Sequence, residues 1–82
     1  MDRIILFTSY YFATKAEKVL EEVAISSRLI ATPPALDEAC GLCILFEHQD
    51  LEKVLDALFL GKISHSGIYE YQGPKAPVKK IK

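Results

Sequence analysis

The chain has 82 residues, half of them apolar and 26% charged, which describes one small folded domain and excludes a disordered chain. Its formal net charge of −1 hides a split. Residues 73–82 carry four lysines and no acid, and without them six basic residues face eleven acidic ones, a net of −5. Such an acidic body excludes a nucleic-acid surface outside the tail, and no apolar run reaches the roughly 18 residues of a membrane span.

The N-terminus lacks the basic-then-apolar pattern of a secretory signal. Two cysteines cannot build a disulfide scaffold, and they fit a reducing, cytoplasmic location. A chain this short also has little room for a deep enzyme cleft, so a carrier or binding protein is expected ahead of a stand-alone enzyme.

Residues 3–8 are β-branched and aromatic in part and predict a buried strand. Thr8 or Ser9 can cap the helix that follows. In that helix Phe12, Ala16, Val19, Leu20 and Val23 recur at helical spacing. Thr14 and Glu17 also have capping-box spacing, an alternative start one turn later. Ser27 to Ala31 predicts a second strand, closed by Thr32-Pro33-Pro34, because proline cannot donate to a sheet. Residues 32–40 are then a loop, with one helical turn at Ala35–Glu38.

Gly41 to Glu47 predicts the third strand. Residues 50–60 give the clearest helix, with Leu51, Val54, Leu55 and Leu58 as its stripe and Gly61 as its stop. Residues 65–71 predict the fourth strand.

The order β-α-β-β-α-β, with right-handed crossovers, is that of an α+β ferredoxin-like split βαβ domain. It has a four-stranded antiparallel sheet and two helices on one face. The domain is expected over residues 1–72, with 73–82 as a flexible basic tail. If Leu42, Ile44 and Phe46 face the helices, Cys43 and Leu45 face the open side. Apolar residues there offer a homodimer interface, the alternative being a monomer.

The one constellation with chemical content is Cys40-Gly41-Leu42-Cys43. As a dithiol pair it is awkward. Three residues of extended chain span about 10 Å, whereas a disulfide needs Cα atoms within about 7 Å. A bend at Gly41 would be required, and glycine permits it. As a zinc site it needs further ligands, and His48 and His65 lack mutual ligand spacing, so no metal is expected.

As a single nucleophile, Cys40 sits at a loop-to-strand junction, where reactive groups are commonly carried, and can hold sulfur or selenium as a persulfide or selenosulfide. Asp37 and Glu38 nearby would raise its pKa. Cys43, in mid-strand, reads first as a small buried residue. Tyr10, Tyr11, Tyr69 and Tyr71 are either a binding surface or half-buried rings with wet hydroxyls. No phosphate loop is present, and no cofactor is expected.

Several segments together resemble one family. They are the first strand through Ala16-Glu17-Lys18, the Thr32-Pro33 loop, Ala39-Cys40-Gly41-Leu42, Asp50 to Val54, and Gly67-Ile68-Tyr69. They are similar to the Se/S carrier protein-like family, whose domains also occur fused to selenium-metabolism proteins. The likeness covers residues 3–71.

It implies Cys40 as the carrier thiol, with Thr32, Pro33 and Gly41 around it. It also implies a donor and an acceptor protein of sulfur or selenium metabolism as partners. Pro34 stands where the family often has arginine, which removes a cation from beside the thiol. The resemblance gives Cys43 no role, since a small residue is expected there; in the carrier hypothesis Cys43 is the candidate resolving thiol. The competing expectation is a non-catalytic interaction or regulatory module.

Overall fold

The computed structural model describes residues 1–36, 41–73 and 79–81. Strand β1 spans Arg3–Leu6, helix α1 Tyr10–Glu22, β2 Ser27–Ala31 and β3 Leu42–Phe46. A single 3-10 turn at His48–Asp50 leads into α2, Leu51–Leu60, followed by β4, Gly67–Glu70, and β5, Lys79–Lys80. The fold is α+β, with an antiparallel sheet ordered β2-β3-β1-β4-β5. The sheet has five strands where four were expected. The fifth comes from the lysine-rich tail, where Lys80 pairs with Tyr69 and Lys79 with Glu70.

The first helix starts at Ser9, whose hydroxyl accepts the Phe12 amide at 3.3 Å, so the earlier cap is the one used. Both helices end in the same device. After α1 the Ile25 amide donates to the Leu20 carbonyl (2.9 Å) and the Ala24 amide to Glu21 (3.0 Å). After α2 the Ile63 amide donates to Leu58 (2.9 Å) and the Lys62 amide to Phe59 (3.1 Å). These are Schellman ends, and each returns an isoleucine to the core. The left-handed residue is Ala24 in one (φ 60°) and Lys62 in the other (φ 57°). Gly61 stops α2 as expected, but it is the residue after it that takes the unusual backbone.

The alternation of β3 sorts its side chains as expected. Leu29, Ile44, Ile5 and Ile68 form one row across four strands. They pack with Ala13, Ala16 and Leu20 of α1 and Val54, Ala57 and Leu58 of α2. Both helices therefore lie on this face. Val23, placed on the α1 stripe by its spacing, is exposed instead, because the helix is already ending there.

The opposite row runs Ile30, Cys43, Leu6, Gly67. This face was expected to be open, but Ile4, Leu6, Cys43 and Leu45 are all buried. Ile30, Leu36, Tyr69 and Tyr71 pack against them. The Tyr69 ring lies over Gly67, where a Cβ would meet its edge at 3.0 Å. Side chains thus cover what the helices leave bare, and these four residues are not available as a dimer surface.

Candidate functional site

The loop between β2 and β3 is closed at its neck by backbone. The Thr32 amide donates to the Gly41 carbonyl at 2.9 Å, extending the β2–β3 ladder by one rung. Inside the loop Pro33 is buried, and the Leu36 amide donates to its carbonyl at 2.9 Å, making a tight turn. That turn drops Leu36 onto the helix-free cluster that contains Cys43. Cys40, Asp37 and Glu38 lie outside the described residues, as does the end of the helical turn expected at Ala35–Glu38.

Gly41 has the kind of bend that a Cys40–Cys43 disulfide would need. Its φ is +75°, in the left-handed region that favours glycine. Among the described residues, its chain neighbours aside, no atom lies within 4 Å of where a Cβ would project. On the side of the described residues the Gly41 backbone is therefore open to approach. Two of the residues implied by the resemblance come together here, Thr32 bonded to Gly41, and Pro33 follows Thr32 in the chain.

Thr32 adds a feature that its sequence position does not reveal. Its Oγ1 is shielded from solvent and has no hydrogen-bond partner among the described residues. A buried hydroxyl without a partner costs about 1–3 kcal/mol relative to one that is paired.

Cys43 has no solvent access, and its Sγ lies 4.0 Å from the Ala31 carbonyl oxygen, a weak contact. A reagent in solution reaches this sulfur only if its cover opens. Among the described residues that cover includes Leu36, and Leu36 belongs to the loop that leads to Cys40. The loop next to one cysteine thus shields the other.

The histidines occupy separate places. His48 bonds to Asp2 twice, its amide to Oδ1 and its Nδ1 to Oδ2, both at 2.8 Å. Burial works against the Asp2 charge, but the His48 amide and ring, together with Arg3, outweigh it and hold the carboxyl below its usual range. Met1 reinforces this corner through its amino group, 3.3 Å from Glu47. His65 borders a shallow hollow with Leu55, Phe59 and Ile63, and burial pushes its pKa down. Among the described residues no group of three His, Cys, Asp or Glu side chains is placed to hold a metal ion.

The tyrosines also divide. Tyr10 and Tyr11 are exposed on the first turn of α1, while Tyr69 and Tyr71 lie against the helix-free face. Spacing did not bring out Leu36 as part of the cover over the Cys43 cluster, because its place is set by the turn at Pro33 and not by a periodic pattern. The pair Phe59-Leu60 was readable: two adjacent apolar residues that both fall off the α2 stripe.

Residues 2–70 match the family described as "Putative Se/S carrier protein-like". The chain belongs to this family. The match runs from β1 through β4 and includes the whole Thr32–Gly41 loop. No curated protein and no solved structure matches the chain. Among the described residues no helix is long and apolar enough to cross a membrane.

Proposed function

We propose that this domain carries sulfur or selenium on Cys40 in the cytoplasm, between a donor and an acceptor protein. Membership of the Se/S carrier-like family carries the reading. The open, left-handed Gly41 beside Cys40 and the buried Thr32 hydroxyl at the same loop neck support it. The strand order β2-β3-β1-β4 with both helices on one face supports reading the scaffold as a ferredoxin-like split βαβ, to which β5 is added.

The chemistry balances without an outside oxidant. The Cys40 thiolate attacks the terminal sulfur of a donor persulfide, the donor thiolate leaves, and Cys40 holds the persulfide. An acceptor thiolate then attacks that terminal sulfur and Cys40 leaves as thiolate. In the alternative release, the Cys43 thiolate attacks Cys40 Sγ. A Cys40–Cys43 disulfide forms, and the terminal sulfur departs as hydrosulfide, reduced by the two electrons that the thiols lose. This second route requires the Leu36 cover to open, because Cys43 is buried.

Intact-mass measurement after incubation with a persulfide donor tests the proposal. The wild type should gain one sulfur and Cys40→Ser should gain none. Cys43→Ser should take up sulfur but release no hydrosulfide. An unchanged adduct on Cys40→Ser, or no adduct on the wild type, overturns the carrier reading.

The burial of Cys43 favours a second reading, a non-catalytic interaction module. A Cys40 pKa at or above the ordinary thiol value of about 8.5, with slow alkylation, would decide for that module.

A further inference from the structure

Strand β5 closes one edge of the sheet with little of its own. Its two residues are both exposed, and among the described residues neither apolar cluster includes one from β5. It lies beyond residues 2–70, the segment shared with the family. What holds it is backbone. Ile81, just past the strand, donates its amide to the Ile68 carbonyl at 2.7 Å. On the other side of β4 the Tyr71 amide donates to the Asp2 carbonyl at 2.9 Å. These two bonds fix the alternation of β4. Gly67 and Tyr69 turn their backbone groups to β1, and Ile68 and Glu70 turn theirs to β5. Without β5, Ile68 and Glu70 would form an open edge, the kind of backbone that accepts another strand.

Charge is the second observation. The register places Arg3, Glu70 and Lys79 in one row across β1, β4 and β5. Opposite charges directly across a strand pair attract, and like charges there repel. The Arg3 guanidinium is also engaged by the Asp2 carboxylate at 3.5 Å, and Lys79 is the cation that β5 brings to Glu70. On a larger scale, residues 73–82 bring four lysines to a body of net −5. Charges exposed in this way are screened by salt.

We propose that β5 is a charge-held strap on the β4 edge. It closes that edge in the free domain, opens as a unit ahead of the rest of the fold, and bares the Ile68 and Glu70 backbone when it does.

Amide hydrogen exchange on the full chain, followed by NMR, tests this. Relative to their unfolded rates, the Ile81 and Glu70 amides should exchange together. Both should be at least about tenfold faster than the Tyr69 amide, which faces β1. Raising the salt from about 0.01 M to about 1 M should speed Ile81 exchange and leave Tyr69 unchanged. Glu70→Lys and Lys79→Glu should each speed Ile81 exchange by about threefold, the size of a cross-strand charge effect. The double variant should recover most of that loss, because the pair is then reversed and not removed. An unchanged Tyr69 amide in each variant shows that the sheet itself is intact.

Ile81 and Glu70 amides that exchange no faster than Tyr69 overturn the proposal, because β5 then opens only with the whole fold. Single-variant effects that add in the double variant, or an Ile81 rate indifferent to salt, also overturn it, because charge then does not hold the strap.

Discussion

The two faces of the sheet are built from alternate residues of the same strands, yet they are closed in different ways. On one face two helices lay Ala13, Ala16, Leu20, Val54, Ala57 and Leu58 over Ile5, Ile44, Phe46 and Ile68. On the other, four buried residues are covered by single side chains: Leu36 from a loop, Ile30 from the edge strand, and two tyrosines. The helical cover is held by many bonds along its own length. The side-chain cover is in pieces, and its Leu36 part can be lifted by moving one loop. Stability is therefore concentrated on the first face and local opening on the second. Cys43 belongs to the second.

The largest effect should come from cutting into the helical side. Phe46 is fully buried there, and Phe46→Ala should cost about 3–5 kcal/mol, read from urea unfolding. A comparable loss from truncating Leu36, which is only partly buried, would remove the distinction between the faces.

Cys43→Ser probes the thinner face directly. It places a hydroxyl in an apolar row and should cost about 1–3 kcal/mol. In a Cys40→Ser background, Leu36→Ala should speed thiol-reagent labelling of Cys43 well beyond its effect on global stability. If labelling changes only in proportion to the unfolding free energy, the cover does not open as a local unit.

Smaller effects lie at the two helix ends. Ala24 and Lys62 hold a left-handed backbone that costs a side-chain-bearing residue about 1–2 kcal/mol. Ala24→Gly and Lys62→Gly should each stabilise the fold, by about 0.5–1 kcal/mol after the extra entropy of glycine in the unfolded chain. Thermal melts of the single and double variants check both the sign and the additivity.

The smallest effect is electrostatic. Because the Asp2 carboxyl is held below its ordinary value in the fold, its contribution is present above that ordinary value. It is lost as pH falls through the lowered one, where the folded state takes up its proton. Asp2→Asn should therefore remove a small stabilisation at neutral pH and flatten the acid limb, leaving strongly acidic pH almost unchanged.

Much of the scaffold was legible because it rests on local rules. Ser27–Ala31 ends where two prolines follow, and the alternation of Leu42 to Phe46 assigns each side chain to its face. Ser9 and Gly61 mark helix boundaries through their own chemistry.

The fifth strand was not legible. Lys79-Lys80 has no apolar alternation and follows a stretch with two prolines, so only its partner β4 reveals it. The cover over Cys43 was hidden for a similar reason, since Tyr71 comes from a distant part of the chain and Leu36 from a loop whose path the pattern does not set. At the candidate site a bend at Gly41 was expected only for a disulfide, and glycine's freedom to make one was the readable part. The Thr32 hydroxyl, without a partner among the described residues, depends by contrast on what surrounds it and could not be read from its neighbours in sequence.

Gly41 sets a final condition on the loop neck, and it concerns chirality. Its φ of +75° strains an L residue, while among the described residues nothing beyond its chain neighbours fills the space beside its Cα. Among the described residues the obstacle to a side chain is therefore handedness. A synthetic chain with D-alanine at position 41 should keep the neck closed and stiffen it, whereas L-alanine should cost about 1–2 kcal/mol. The pair of mirror-image residues would separate the backbone bend beside Cys40 from any need for open space there.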